Sequence, residues 1–208
     1  MIPGFRHLPG YLDGGRQNDL LEALRAVAAA APFYRPVMPR SGRPFSVEMT
    51  NAGPLGWLSD KNGYRYVPCH PVTGRPWPEI PGDLTVLWQA LGAFQAPPEC
   101  CLINRYAGEK ARMGLHQDRD ERVFEAAVVS VSLGDSAVFR LGGKARRDPT
   151  RSLKLHSGDV VVLSGEARLA FHGIDRVLGG SSRLLRGGGR LNVTLRRVNP
   201  LPAAEAGA

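Results

Sequence analysis

The chain has 208 residues, 43% of them hydrophobic and 22% charged, enough to bury one globular core of ordinary size. Its 27 Lys and Arg against 19 Asp and Glu leave a formal charge of +8, which admits a phosphate-bearing partner without establishing one. Three cysteines, with Cys100 and Cys101 adjacent, exclude a disulfide framework; with no membrane-length apolar run and no signal-peptide core, the expectation is a cytoplasmic protein without a membrane partner.

Residues 18–31 (NDLLEALRAVAAAA) predict a helix capped by Asn18 or Asp19, striped by Leu20, Leu21, Leu24 and Val27, and stopped by Pro32. From Arg35 to Asp83 the chain is rich in Pro, Gly and aromatics, including Trp57, Tyr64, Tyr66 and Trp77, and reads as hairpins and loops. Residues 84–94 (LTVLWQALGAF) predict a second helix, closed by Pro97-Pro98. Beyond Cys101 come short β-rich runs: CLINRYA, AAVVSVSLG, AVFRLG, SLKLH, DVVVLSG, RLAFHG and RLNVTLRRV. Many short strands after helical padding predict a sandwich or jelly roll with helices on one side, and Pro200–Ala208 reads as a frayed tail.

Within this β-rich half, His116-Gln117-Asp118 places an imidazole and a carboxylate two residues apart, where an extended chain turns both to one side. His172, expected at the end of a late strand, is the candidate third ligand. Two imidazoles and one carboxylate on one face suit Fe(II) and leave positions open. An H-x-D triplet alone is common, and a lone strand histidine is usually structural; His7, His70 and His156 have no comparable partners.

The last strand alternates Arg190, Asn192, Thr194 and Arg196 with Leu191, Val193 and Leu195. Its polar side either faces water, as on an ordinary edge, or faces inward, where two guanidinium forks would bind a dicarboxylate. Alternation does not choose between these. Asn104 and Tyr106, also two apart, would add an amide and a phenol to the same polar interior.

Taken together, LINRYAGEKARMGLHQDRDE, VVSVSLGDSAVFRLGG, HSGDVVVLSGEARLAFHGI and RLNVTLRR resemble the core of the AlkB family of Fe(II)/2-oxoglutarate-dependent nucleic-acid dealkylating dioxygenases. MTNAGPLGWLSDKNGYRYVP and GRPWPEIP resemble that family's substrate lid, so the likeness spans roughly residues 45–197. The resemblance implies a mainly β fold, a double-stranded β-helix (jelly roll) in one domain. Residues 1–44 would be N-terminal helical support, 45–83 the lid, 84–198 a helix plus the jelly-roll core, and 199–208 a flexible tail. By motif position His116, Asp118 and His172 would bind Fe(II), and Asn104, Tyr106, Arg190, Asn192 and Arg196 would hold the cosubstrate 2-oxoglutarate. Trp57, Tyr64, Tyr66, Asp120 and Arg146 would contact the damaged base or its flanks. Two departures from the usual family text stand out: Arg147 beside Arg146, and the loop RVLGGSSRLLRGGG, which leaves the register before Arg190 open.

The implied activity is oxidative demethylation of bases such as 1-methyladenine and 3-methylcytosine in DNA, with RNA as a further substrate. It would consume O2 and 2-oxoglutarate, release formaldehyde, succinate and CO2, and be carried out by a monomer on single-stranded or flipped bases. The competing readings are a 2-oxoglutarate oxygenase acting on protein or a small molecule, a non-catalytic nucleic-acid-binding module, and a cupin-like metal isomerase.

Overall fold

A computed structural model describes residues 2–108 and 110–201. In chain order the elements are β1 (Phe5–Leu8), α1 (Gly14–Ala30), β2 (Glu48–Ala52), β3 (Gly56–Asp60), β4 (Gly63–Val67), α2 (Gly82–Leu91) and β5 (Cys100–Tyr106). Then follow β6 (Met113–His116), β7 (Val128–Gly134), β8 (Ser136–Leu141), β9 (Arg151–Leu155), β10 (Val160–Leu163), β11 (His172–Leu178) and β12 (Arg190–Arg196). A six-stranded sheet, β1-β10-β7-β12-β5-β2, and a four-stranded sheet, β6-β11-β8-β9, form the expected jelly roll; β3 and β4 pair only with each other.

Two apolar layers explain the runs of hydrophobic residues in the larger sheet. On one side, Ile103, Val131, Val162, Val193 and Leu195 pack against Leu20, Leu24, Leu87 and Trp88 of the two helices. On the other, Met49, Leu102, Val128 and Val161 meet Phe139, Leu141, Leu155 and Ile174 of the smaller sheet. A central strand covered on both faces needs apolar residues at both parities. The exceptions therefore mark a purpose: β12 turns Arg190 and Arg196 into the space between the sheets, where both are buried.

Several expected boundaries shift for local reasons. Helix α1 begins at Gly14, because Asp13 caps it by accepting from Arg16 N at 2.9 Å; Asn18 and Asp19 lie inside the helix. Helix α2 spans 82–91, and the Gly92 N–H closes its last turn on Trp88 O. The first 44 residues are not helical support alone, since β1 forms an edge of the larger sheet. Likewise β2, inside the segment expected as lid, pairs with β5, so the free hairpin is only 56–67. The expected strand RLAFHG is split: its first two residues end a 3-10 turn over Gly165–Leu169, and His172 opens β11 instead of ending a strand. Of the expected tail, residues 202–208 lie outside the described residues.

The loop ahead of β12 is tied down by Asp135, whose carboxylate accepts from Ser182 N at 3.0 Å and Gly189 N at 2.8 Å. Gly134 lets it pass closely: its φ is +87°, and a Cβ there would stand 2.6 Å from Gly189 O. Arg190 consequently sits in regular register between Tyr106 and Gly134, which resolves the question raised by the unusual loop. Among the described residues no helix is long and apolar enough to cross a membrane.

Candidate metal and ligand site

Between the two sheets and beneath the β3–β4 hairpin lies a cavity of about 520 Å³, within the ordinary size range of ligand sites. All thirteen residues singled out from the sequence line it.

His116 ends β6 and His172 opens β11, and the two are directly paired across the smaller sheet. Asp118 lies just past the end of β6. The ligating atoms of the three side chains fall within 4.8 Å of one another, with His116 Nε2 3.7 Å and His172 Nε2 3.9 Å from the carboxylate. Each imidazole fixes its own orientation in the same way. His116 Nδ1 bonds Gly114 O at 2.9 Å, and His172 Nδ1 bonds Ala170 O at 3.0 Å, in both cases the carbonyl two residues back. A carbonyl accepts, so Nδ1 carries the proton in each ring and both Nε2 atoms present a lone pair inward. This is the tautomer a metal needs.

Charge at the centre is set by burial and by Arg196. Burial alone would raise the Asp118 pKa, but the attraction of Arg196, His172 and His116 outweighs it and holds the carboxyl well below the usual range. Burial, aided by repulsion from His116, pushes His172 down to about 4, so it is neutral and able to ligate at pH 7.

The 2-oxoglutarate candidates lie along β12 and β5. Asn192 stands opposite Asn104, and Arg190 opposite Tyr106, whose ring centroid is 5.0 Å from the guanidinium carbon. Arg190 is 1% exposed, yet among the described residues only its Nη2 finds a hydrogen-bond acceptor, Ser132 Oγ at 2.9 Å. Its Nε and Nη1 have no partner, nor do Arg196 Nη1 and Asn104 Oδ1. Buried donors on a guanidinium are costly to leave unmade. A carboxylate-bearing ligand in the cavity would satisfy them, so the residues present fit 2-oxoglutarate. Arg196 is not free to act as a whole fork, because its Nε and Nη2 already grip Asp118 at 3.0–3.1 Å.

At the mouth, the rings of Trp57 and Tyr64 stack with centroids 5.5 Å apart and planes at 17°. Trp57 Nε1 donates to Asp120 Oδ2 at 2.8 Å, so Asp120 is not simply solvated among its charged neighbours. The Tyr66 hydroxyl donates to Glu121 Oε1. Arg146 donates to Leu115 O at 3.1 Å and lies over the Phe171 ring, the residues next in sequence to the candidate ligands His116 and His172.

Four supporting residues escaped the sequence reading. Gln117, between two of the candidate ligands, donates to Lys144 O and Leu169 O and so clips β6 to the turn before His172. Buried Arg168 donates to Asp118 O, Ala126 O and Glu121. Asn51 fastens the Trp57 backbone at both its N–H and its carbonyl. Ser132 holds Arg190. Only Ser132 left a trace in the text: a polar residue in step with Ser130 within an otherwise apolar central strand.

A family model described as the 2OG-Fe(II) oxygenase superfamily matches residues 4–196. The alpha-ketoglutarate-dependent dioxygenase AlkB homolog of Caulobacter vibrioides is 58% identical over 200 residues, covering 95% of this chain and 89% of that protein. A DNA N(6)-methyladenine demethylase of Arabidopsis thaliana, ALKBH1D, is 41% identical over 110 residues, 48% of this chain and 24% of that protein. Among solved structures, one described as the structure of OsALKBH1 superposes with a TM-score of 0.78 at 29% identity, covering 95% of this chain and 99% of that one.

Proposed function

The chain belongs to the 2OG-Fe(II) oxygenase superfamily and within it to the AlkB proteins, and from that premise we propose that it oxidatively removes alkyl groups from nucleic-acid bases. It is an Fe(II)- and 2-oxoglutarate-dependent dioxygenase. The observation that carries the substrate-side reading is one cavity holding three things: a His–Asp–His cluster, buried guanidinium donors without partners, and a stacked Trp–Tyr pair at the mouth.

In this reading His116 Nε2, Asp118 and His172 Nε2 hold the metal, and Arg190 takes a carboxylate of 2-oxoglutarate beside Asn104, Tyr106 and Asn192. Arg196 steadies Asp118 and offers its remaining Nη1 to the same ligand. When bound, iron and 2-oxoglutarate use O2 to oxidise the N-alkyl carbon, giving succinate and CO2 and, from a methyl group, formaldehyde and the restored base. The chain supplies position and exclusion of water. Trp57 and Tyr64 offer the flat apolar surface on which an unstacked base rests, a contact worth about 1–3 kcal/mol per base. Asp120 places negative charge where a cationic base such as 1-methyladenine or 3-methylcytosine would lie. A lesion that cannot pair is also cheaper to extrude than an intact base. Arg146 and the +8 charge suit the flanking phosphates. The expected substrate is single-stranded or flipped DNA, with RNA second. The whole chain acts as one cytoplasmic, monomeric domain with the 56–67 hairpin as its lid. The ALKBH1D name on one relative supports a DNA base as substrate.

The test is anaerobic loading with Fe(II) and 2-oxoglutarate, then addition of O2 and a 1-methyladenine oligonucleotide. Formaldehyde and succinate should appear together, and His116→Ala or Asp118→Ala should cut both by more than about 100-fold while the thermal transition persists. Normal turnover by either variant would remove the metal assignment; turnover of peptides in place of oligonucleotide would remove the substrate class.

A further inference from the structure

One buried carboxylate has no role in that chemistry. Glu121 follows directly on Asp120, and its side chain is 1% exposed. Three groups converge on it: the Tyr66 hydroxyl donates to Oε1, Arg168 Nη2 donates to Oε2 at 3.3 Å, and Arg196 Nε lies 3.5 Å from Oε1. A carboxylate taken out of water needs such company. Which groups supply it matters more. Tyr66 belongs to the hairpin, whereas Arg196 belongs to β12 and grips Asp118. Among the described residues, Glu121 is the one side chain that meets both, Tyr66 by a hydrogen bond and Arg196 by an ion pair.

The hairpin's other attachments lie elsewhere. At its base, Asn51 holds the Trp57 backbone, and Trp77 Nε1 donates to Val67 O at 2.9 Å. Near its tip, Arg65 donates to Asp60 across the two strands, Asp60 also accepts from the Asn62 N–H, and Ser59 is tied to Val37 through side chain and backbone. Over the cavity, the directly opposed pair Trp57 and Tyr66 meets the consecutive carboxylates Asp120 and Glu121. Asp120 is exposed, whereas Glu121, the next residue, is buried.

We propose that Glu121 is a positioning residue that joins the hairpin to the 2-oxoglutarate side of the site, holding Tyr66 and Arg196 on one carboxylate so that hairpin closure and the setting of Arg196 stabilise each other. This rests on the reading that Arg196 borders the keto acid. Coupling of this kind is reciprocal: whatever orders Arg196 must also steady the hairpin, and a loosened hairpin must weaken the keto-acid site.

Hydrogen exchange of the hairpin amides 56–67 in the full chain tests this with no oligonucleotide present, using Mn(II) with and without 2-oxoglutarate. In the native chain the keto acid should slow hairpin exchange about tenfold, the scale of one hydrogen bond to a charged group. Tyr66→Phe deletes a single oxygen; it should speed hairpin exchange and abolish the slowing by keto acid. Glu121→Gln should do the same and weaken 2-oxoglutarate binding about fivefold by loosening Arg196. The double variant should be no worse than the worse single, since both break one link. The proposal fails if the native hairpin ignores the keto acid, if Tyr66→Phe responds as the native chain does, or if the two substitutions add. Should Glu121→Gln not fold, Tyr66→Phe alone still decides. Loss of oligonucleotide turnover with these exchange patterns intact would count against the base-dealkylation reading instead.

Discussion

Two walls of the cavity are built on different principles. The inner wall is β12, laddered to β5 along all seven of its residues and to β7 along six, with a helix layer behind it. The outer wall is the β3–β4 hairpin, whose strands pair only with each other and whose tie to the site is a few side-chain bonds. Backbone ladders backed by a core hold side chains to a fixed geometry, whereas an isolated hairpin is marginal without its tertiary contacts. This division matches the proposed chemistry, in which the metal and keto acid would need rigid placement and a wall that admits a base would have to move.

Substitution of the inner wall gives the largest expected effect and the sharpest contrast. Arg190→Met should weaken 2-oxoglutarate binding by at least about 30-fold, since removing a buried partner of a charge typically costs 2–5 kcal/mol. The same change should leave the ligand-free fold as stable or more so. Among the described residues two buried nitrogens of Arg190 have no acceptor, and an apolar chain of similar length would not need one. Calorimetric titration with 2-oxoglutarate and a thermal melt on one sample check both halves. If binding holds and the melt falls, Arg190 is a structural arginine and the inner wall is no ligand site.

The sequence exposes the inner wall far better than the outer one, for a physical reason. Strand β12 carries its purpose in a two-residue period, and His116, Asp118 and His172 are residue types that an ordinary core seldom gathers. The inward direction of Arg190 and Arg196 was not legible, because alternation shows that two faces differ without saying which one meets water. Arg168 was missed because its partners lie 42 to 50 residues away, and nothing beside it distinguishes it from a surface arginine. Glu121 reads as one more solvated charge in RDER until Tyr66 and two arginines close on it. Helix α1 starts at Gly14-Gly15, a pair that propensity opposes; the Asp13 cap and four buried residues on one face outweigh it.

Acid should separate the walls by a smaller amount. His172 titrates near 4 in the fold and about 6.5 when exposed, so the unfolded chain binds the extra proton first. Its contribution to stability is complete above pH 6.5 and is lost as pH falls toward 4. The metal-free protein should lose roughly 1–2 kcal/mol of stability between pH 6.5 and 5 through this group. On the outer wall, Arg65 and the Asn62 N–H hold Asp60 down at about 2, so the hairpin's own clamp stays charged throughout that window. Denaturant melts across this range, set beside those of His172→Gln, should show the slope vanish in the variant. An unchanged slope would place the titrating group elsewhere.

The smallest expected effect belongs to the most exposed part of the outer wall. Tyr64 is 49% exposed and touches the site chiefly by stacking on Trp57. Such a stack contributes about 0.5–1.5 kcal/mol beyond the area it buries. Tyr64→Ala should therefore raise KM for a methylated oligonucleotide roughly three- to tenfold, with kcat and 2-oxoglutarate affinity nearly unchanged. The split matters more than its size. Tyr64 has no bond to Glu121, Arg196 or the metal cluster, so weakening it removes base binding without reaching the inner wall. A matching fall in keto-acid affinity would mean that the stack itself sets the inner wall, and the two walls would then have to be treated as one.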